Sequence, residues 1–456
     1  MATEVREASA ASIPEMDARH VLVPWKKQGG PRPVSIERAK GVYFWDADDR
    51  RYLDFTSQFV FANFGHAEPR VVRAIQEQAA CLPVMASSHV TRPRAEAAGL
   101  LAEITPGDLN RVFFSSSGAE ANEAAIKMVR DLTGRSLVLS RYRNYHGSTF
   151  GAMTLSRDPR SWPFEPGIPG VIYGPTCDPY RCRFAPTGGR CNDCGEHCAR
   201  DLEEILLQNG PHRVAGIILE PIVGANGVIV PGDGYLQRIR ELCDRYGILL
   251  IADEVMTGFG RTGRWFAVEH WGVVPDIMST AKGITGGYVP MAATIVREPL
   301  AAQWTDRPFV HGHTYSGHAL GCAAIVASIG VYREDDLIAR SAELGAYLLE
   351  GSRELMARHP SVGDVRGMGL FVGLELVADR ATKAPLADPE RSAVVPSAKE
   401  RVLGKAFEEG LYVMPGQGTT IVLAPPLTIS REQIDDAMRI LDAALAIADE
   451  EAAAAA

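Results

Sequence analysis

Two short apolar runs constrain the fold most. Residues 248–252 are unbroken and apolar and stop at Asp253-Glu254; residues 277–281 repeat the arrangement and deliver Lys282. Runs of this length read as strands buried on both faces, and such strands belong to parallel sheets covered by helices. Sheets of that kind bind ligands beyond the carboxyl ends of their strands. An aspartate and a lysine are thereby delivered to one mouth, and Gly283, Gly286 and Gly287 follow at once. The chain is expected to be an α/β protein with its chemistry at that edge.

At 456 residues and 46% hydrophobic, the chain can bury a large core and fits two domains. The divisions read as an N-terminal segment 1–65 contributing to a small domain, a large domain 66–325, and a C-terminal small domain 326–456. The net charge of -9 offers nucleic acid no electrostatic footprint. No apolar run approaches membrane-spanning length, and residues 1–19 carry Glu4, Glu7, Glu15 and Asp17 without an apolar signal core, so a cytoplasmic location is expected. Residues 1–20 read as disordered and 452–456 as a low-complexity tail.

The rest of the chain supplies strand ends that point the same way. Residues 34–55 alternate as a small antiparallel meander, and the loop 56–66 gathers Phe59, Phe61 and Phe64 around Gln58 and Asn63. Periodicity predicts helices over 71–80, 94–104, 321–332 and 431–447, and a strand over 367–376. Residues 111–123 read as strand, turn and helix, with Ser117-Gly118-Ala119 at the helix start. Hydroxyl and unpaired N–H groups there bind an anion well, although an ordinary serine N-cap gives the same pattern. Residues 136–139 form another buried strand, beyond which Tyr145-His146-Gly147 presents an aromatic ring able to stack on a flat ligand or to face solvent. Residues 214–219 end at Glu220, either a functional acid or an exposed strand end.

Asp253-Glu254-Val255, Gly258-Phe259-Gly260-Arg261-Thr262-Gly263 and Lys282-Gly283 occur in the order of the central signature of class III aminotransferases. The chain resembles that family, part of the fold-type I superfamily of pyridoxal-phosphate enzymes, over nearly its whole length. The resemblance implies a large domain with a mostly parallel, seven-stranded type of sheet flanked by helices, plus a smaller α+β domain. It implies pyridoxal 5'-phosphate held on Lys282 as a Schiff base, with Asp253 keeping the pyridine nitrogen protonated. By the same resemblance Ser117, Gly118 and Ala119 cradle the phosphate, Tyr145 of the Tyr145-His146-Gly147 motif and Val255 support opposite faces of the ring, and Glu220 lies near its phenolic oxygen. His311-Gly312-His313-Thr314-Tyr315-Ser316-Gly317-His318 resembles the family segment whose threonine reaches the neighbouring subunit's phosphate. Thr314 therefore implies a homodimer with shared active sites, or a tetramer built from it.

The substrate pocket is expected at Gln58, Phe59, Ser148 and Met414. Relatives acting on ω-amines with pyruvate carry an arginine in a late Gly-Leu-Ile-Cys-Arg-Pro stretch; here the stretch is Gly410-Leu411-Tyr412-Val413-Met414-Pro415, and Met414 cannot form a bidentate ion pair. The arginines of 4-aminobutyrate enzymes fall on Ser148 and Val422. Either another arginine is recruited from loops bearing Arg92, Arg94 or Arg143, or the preferred amine lacks an α-carboxylate and neutral donors hold the acceptor; the second is the expectation. The implied function is amino transfer from an ω-amine or amino acid to a keto acid such as pyruvate. Racemisation, decarboxylation or an amino shift on the same scaffold is the alternative, followed by an inactive binding protein.

Cys177, Cys182, Cys191, Cys194 and Cys198 crowd into the insert 177–198 with spacing C-x4-C-x8-C-x2-C-x3-C. In a cytosolic enzyme the pattern reads as metal ligands, with His197 as a substitute, or as free thiols. Five thiols exceed a tetrahedral set, and a similar insert occurs in some class III relatives.

Overall fold

The computed structural model describes residues 13–30, 33–386 and 397–455. Its centre is a seven-stranded sheet in the order Leu109–Ser115, Ala292–Arg297, Ile277–Thr280, Leu249–Asp253, Val214–Leu219, Leu137–Arg141, Val171–Gly174. Ala292–Arg297 pairs antiparallel with both neighbours; the pairs from Ile277–Thr280 outward are parallel. Val214–Leu219 and Ile277–Thr280 are buried at every residue, as expected of strands covered on both faces. Each fully buried Ile or Leu of this layer contributes about 1.5–3 kcal/mol against an exposed reference. The architecture is the mostly parallel, seven-stranded α/β sheet that the resemblance implies.

Two smaller sheets flank it. The meander Ile36–Lys40, Tyr43–Asp46 and Arg51–Asp54 gains a fourth, parallel strand from Leu411–Tyr412. The second sheet joins Val362–Gly367, Val372–Asp379, Thr420–Leu423 and Met414–Pro415, with Ala384–Pro385 on Val372–Asp379. The single strand expected over 367–376 is thus a hairpin. Gly369 takes φ +55°, a conformation open to glycine, and the Met368 N–H donates to the Phe371 carbonyl across the turn at 3.1 Å.

Both chain ends also depart from expectation. Ile13–His20 is helical rather than disordered, while residues 1–12 lie outside the described residues. The terminal helix runs Arg431–Ala455, because the alanines of the supposed tail are the best helix formers and extend it; Ala456 lies outside the described residues.

The signature arginine has a structural job. Arg261 is wholly buried and donates to the Leu370 and Pro425 carbonyls at 2.9 and 2.6 Å, to Asn63 Oδ1 at 2.8 Å and to Ser57 Oγ at 3.0 Å. It thereby clamps the 56–66 loop to the second small sheet beside the lysine turn.

Candidate active site

Asp253 and Lys282 leave the sheet as neighbours, since Asp253 sits opposite Ser279 on the adjacent parallel strand. Asp253 is buried and three donors fix its carboxylate. Oδ2 accepts from Asn122 Nδ2 at 2.8 Å and lies 2.7 Å from His146 Nδ1, while Oδ1 accepts from the Val255 N–H at 3.0 Å. A carboxylate has no proton to give, so His146 donates from Nδ1, and its Nε2, 3.2 Å from Asn144 Nδ2, accepts. Asn122 also donates to the His146 carbonyl at 2.8 Å, tying helix to turn. Its role was invisible in sequence, where it is one more residue of a small-residue helix start.

Lys282 adopts φ +54°, a left-handed conformation that costs a non-glycine residue about 1–3 kcal/mol and concentrates at functional sites. Burial pushes its ammonium down to about 8, outweighing the attraction of Asp253 and Glu220. The neutral amine therefore predominates above that pH, well below the range of an exposed lysine. Incorporation of pyridoxal phosphate into apoenzyme needs the neutral amine, so its rate should rise with pH to about 8 and then level off. Following growth of the visible cofactor band across pH checks this; a rate still climbing at pH 10 contradicts it.

Glu220 is buried, and burial raises its carboxyl above the usual range. It accepts from the Tyr145 N–H at 2.9 Å and the Gly224 N–H at 2.8 Å, which fixes the Tyr145 turn against the Val214–Leu219 strand end. On the other side of the turn, Gly147 has φ +138°, and a Cβ there would lie 2.4 Å from the Ala119 Cβ. The close approach seats the Tyr-His-Gly turn on the start of the Gly118–Thr133 helix. Ser117 caps that helix, its Oγ accepting from the Glu120 N–H at 3.2 Å. A Cβ on Gly118 would meet Val255 at 2.9 Å, so glycine is required for these two segments to meet.

The pocket residues are less uniform. Gln58 donates to Asp54 Oδ2 at 2.9 Å, Phe59 is 65% exposed, and Phe64 is core. Ser148 is exposed, with its Oγ 2.9 Å from the Tyr145 hydroxyl. Met414 is only 8% exposed and packs with Val60, Ile222, Val228, Phe371 and Val422; its apolar side chain completes that cluster. Thr314 is exposed on its loop, and among the described residues no hydrogen bond joins it to the others.

Each of the three arginines named as possible recruits is held elsewhere. Arg143 is held by the buried Asp178 at 2.7 Å, Arg94 by the Ser87 carbonyl at 2.6 Å, and Arg92 by Glu96 at 3.1 Å. Two other arginines, Arg160 and the buried Arg261, lower the Lys282 ammonium further. The Arg160 guanidinium carbon stands 4.0 Å from the Tyr145 ring centre and 5.8 Å from that of Trp25, and the buried Asp158 pairs with it through Nε at 3.1 Å and through Nη2, as Asp178 pairs with Arg143. The Trp25 and Tyr145 rings meet nearly at right angles, 6.4 Å apart. Nothing in the spacing of Arg160 reveals this, because the 142–170 segment folds back as loop and short helix.

An amine and a carboxylate at adjoining strand ends, an aromatic ring beside them and free N–H groups at a helix start match the aldehyde, ring nitrogen, ring face and phosphate of pyridoxal phosphate. The residues present fit that group, and the class is a pyridoxal-phosphate-dependent transferase. The aminotransferase class-III family matches residues 25–445, and the chain belongs to it. It is 38% identical over 454 residues to a taurine–pyruvate aminotransferase of Rhodobacter capsulatus, covering 96% of this chain and 97% of that one. It is 36% identical over 421 residues to a leucine/methionine racemase of Thermococcus litoralis, covering 92% of each. A taurine:2-oxoglutarate aminotransferase from Bifidobacterium kashiwanohense, solved with PLP and glutamate, superposes with TM-score 0.92 at 38% identity, covering 97% of this chain and 99% of that one.

Proposed function

We propose that this aminotransferase moves the amino group of an ω-amino acid, one carrying a sulfonate or carboxylate at its far end, to pyruvate or a similar 2-oxo acid. The observation that carries the reading is Arg160, a guanidinium stacked on Tyr145 and within electrostatic reach of Lys282. This reading differs from the expectation that neutral hydroxyl and amide donors hold the acceptor. The taurine enzymes among the relatives support the same substrate class.

Bound pyridoxal phosphate supplies the electron sink that lets the substrate carbon lose a proton. With that cofactor bound, Lys282 would hold it, and the Lys282 Nζ, once freed, would carry a proton between the substrate carbon and the cofactor's aldehyde carbon. A group near neutrality suits both steps. Asp253, held by Asn122, His146 and Val255, would keep the cofactor's ring nitrogen protonated, Tyr145 would support the ring, and Ser117, Gly118 and Ala119 would hold the phosphate. Arg160 pairs the acid group of donor and acceptor in turn, with Trp25 walling its outer side.

The exposed Thr314 supports a homodimer in which that loop completes the partner's site. The pairing of the N-terminal meander with Leu411–Tyr412 supports grouping residues 1–65 with the C-terminal small domain. No helix among the described residues is long and apolar enough to cross a membrane, and a cytoplasmic setting fits this.

Arg160→Gln should lower kcat/KM for taurine and for pyruvate by roughly 10–100-fold, the cost of a lost charged hydrogen bond, while single-turnover amine transfer from neutral 1-phenylethylamine is unchanged. Equal losses with all three would remove Arg160 from recognition. The racemase relative keeps a second reading open, and stoichiometric alanine formation from pyruvate decides between them.

A further inference from the structure

The insert brings three of its five cysteines to one point. Cys177 follows the Val171–Gly174 strand, while Cys194 and Cys198 lie four residues apart on one face of the first turns of the Cys194–Asn209 helix. All three are buried, and their sulfurs lie within 4.8 Å of one another. The Cys177 and Cys194 sulfurs are 3.6 Å apart, and those of Cys194 and Cys198 are 3.8 Å apart. Metal–sulfur bonds of about 2.3 Å at tetrahedral angles set sulfur–sulfur edges at about 3.8 Å. The Gly232 N–H donates to the Cys177 sulfur at 3.2 Å, a contact that favours a thiolate.

A second observation comes from charge. Arg141 is 2% exposed, and its guanidinium donates only to the Glu220 carbonyl at 2.7 Å and Asn144 Oδ1 at 3.4 Å; its buried Nε has no partner. Among the described residues no carboxylate pairs with it. An isolated buried cation is costly. The Arg141 guanidinium carbon lies 5.6 Å from the ring centre of Tyr235, whose buried hydroxyl also lacks a partner. A divalent cation with three thiolates carries one negative charge, and Arg141 neutralises it. Cys182 and Cys191 neighbour each other outside the trio, and His197 turns to Arg200 at 3.0 Å.

We propose that Cys177, Cys194 and Cys198 bind one zinc ion, with solvent completing the shell on the Cys198 side and Arg141 as the charge partner. Each thiol gives its proton to solvent as its Zn–S bond forms, with no redox change. The ion pins the start of the Cys194–Asn209 helix behind the strand end that carries Glu220. The test is elemental analysis of full-length holoenzyme prepared without chelator. About one zinc per chain is expected, falling to background in Cys194→Ser and unchanged in Cys182→Ser. Should Cys194→Ser fail to fold, wild-type protein stripped with chelator and titrated with Cd2+ carries the test. It should develop the ultraviolet thiolate–cadmium band at about one equivalent, and its visible cofactor band should persist throughout. Wild-type protein that takes up neither metal, a disulfide between any two of the three cysteines, or equal metal loss in Cys182→Ser overturns the proposal.

Discussion

Lys282→Ala is expected to fold, to bind pyridoxal phosphate without a covalent link, and to lose turnover by about 10,000-fold or more, because one residue serves as both cofactor anchor and proton carrier. Reduction of wild type with borohydride should fix the cofactor on the peptide containing Lys282, and the variant should yield none. Thermal stability of the apoenzyme should hold or rise near pH 7. The folded amine titrates near 8 and the unfolded one near 10.5, so at neutral pH folding works against the ammonium, and the alanine variant is relieved of that cost. Labelling of another lysine, or a large fall in melting temperature, would contradict the assignment.

Asp253→Asn is the second large effect. A neutral amide cannot hold a proton on the ring nitrogen, and kcat should fall by roughly three orders of magnitude or more on the scale of general acid–base and electrostatic contributions. Stability should fall as well. The aspartate accepts from Asn122, His146 and Val255, but an asparagine keeps only one accepting oxygen and turns an NH2 toward donors. One or two buried donors then go unmatched, at about 1–3 kcal/mol each. Near-normal turnover of Asp253→Asn would show that another acid serves the ring nitrogen.

Much of this site was legible because it is built from strand ends. Apolar runs closing on Asp253, Lys282 and Glu220 declare both the sheet and its reactive edge, and the helices expected over 71–80, 94–104 and 321–332 needed boundary shifts of at most two residues, whereas Tyr235–Tyr246 and Leu337–Arg358 were not anticipated. What sequence did not show depends on how loops fold back. Arg160 reaches the site because its segment doubles over Tyr145. Asn122 matters because a helix turn aims it at Asp253. Arg261, by contrast, belongs to the family signature and reads as functional, yet its four hydrogen bonds make it a clamp between segments. The cysteine pattern left metal and free thiols both open, since five residues in a row of loops do not say which three converge.

The parallel pairing of Arg51–Asp54 with Leu411–Tyr412 has a consequence in time. Leu53 and Asp54 take their strand partners from residues that leave the ribosome near the end of synthesis. Asp54 in turn organises the pocket loop, accepting from Thr56 at 2.8 Å and from Gln58 at 2.9 Å, with His66 Nε2 3.0 Å away. The first part of the pocket to be made is therefore among the last to be ordered. A nascent chain can build its central sheet while the 56–66 loop still waits for its partner strand.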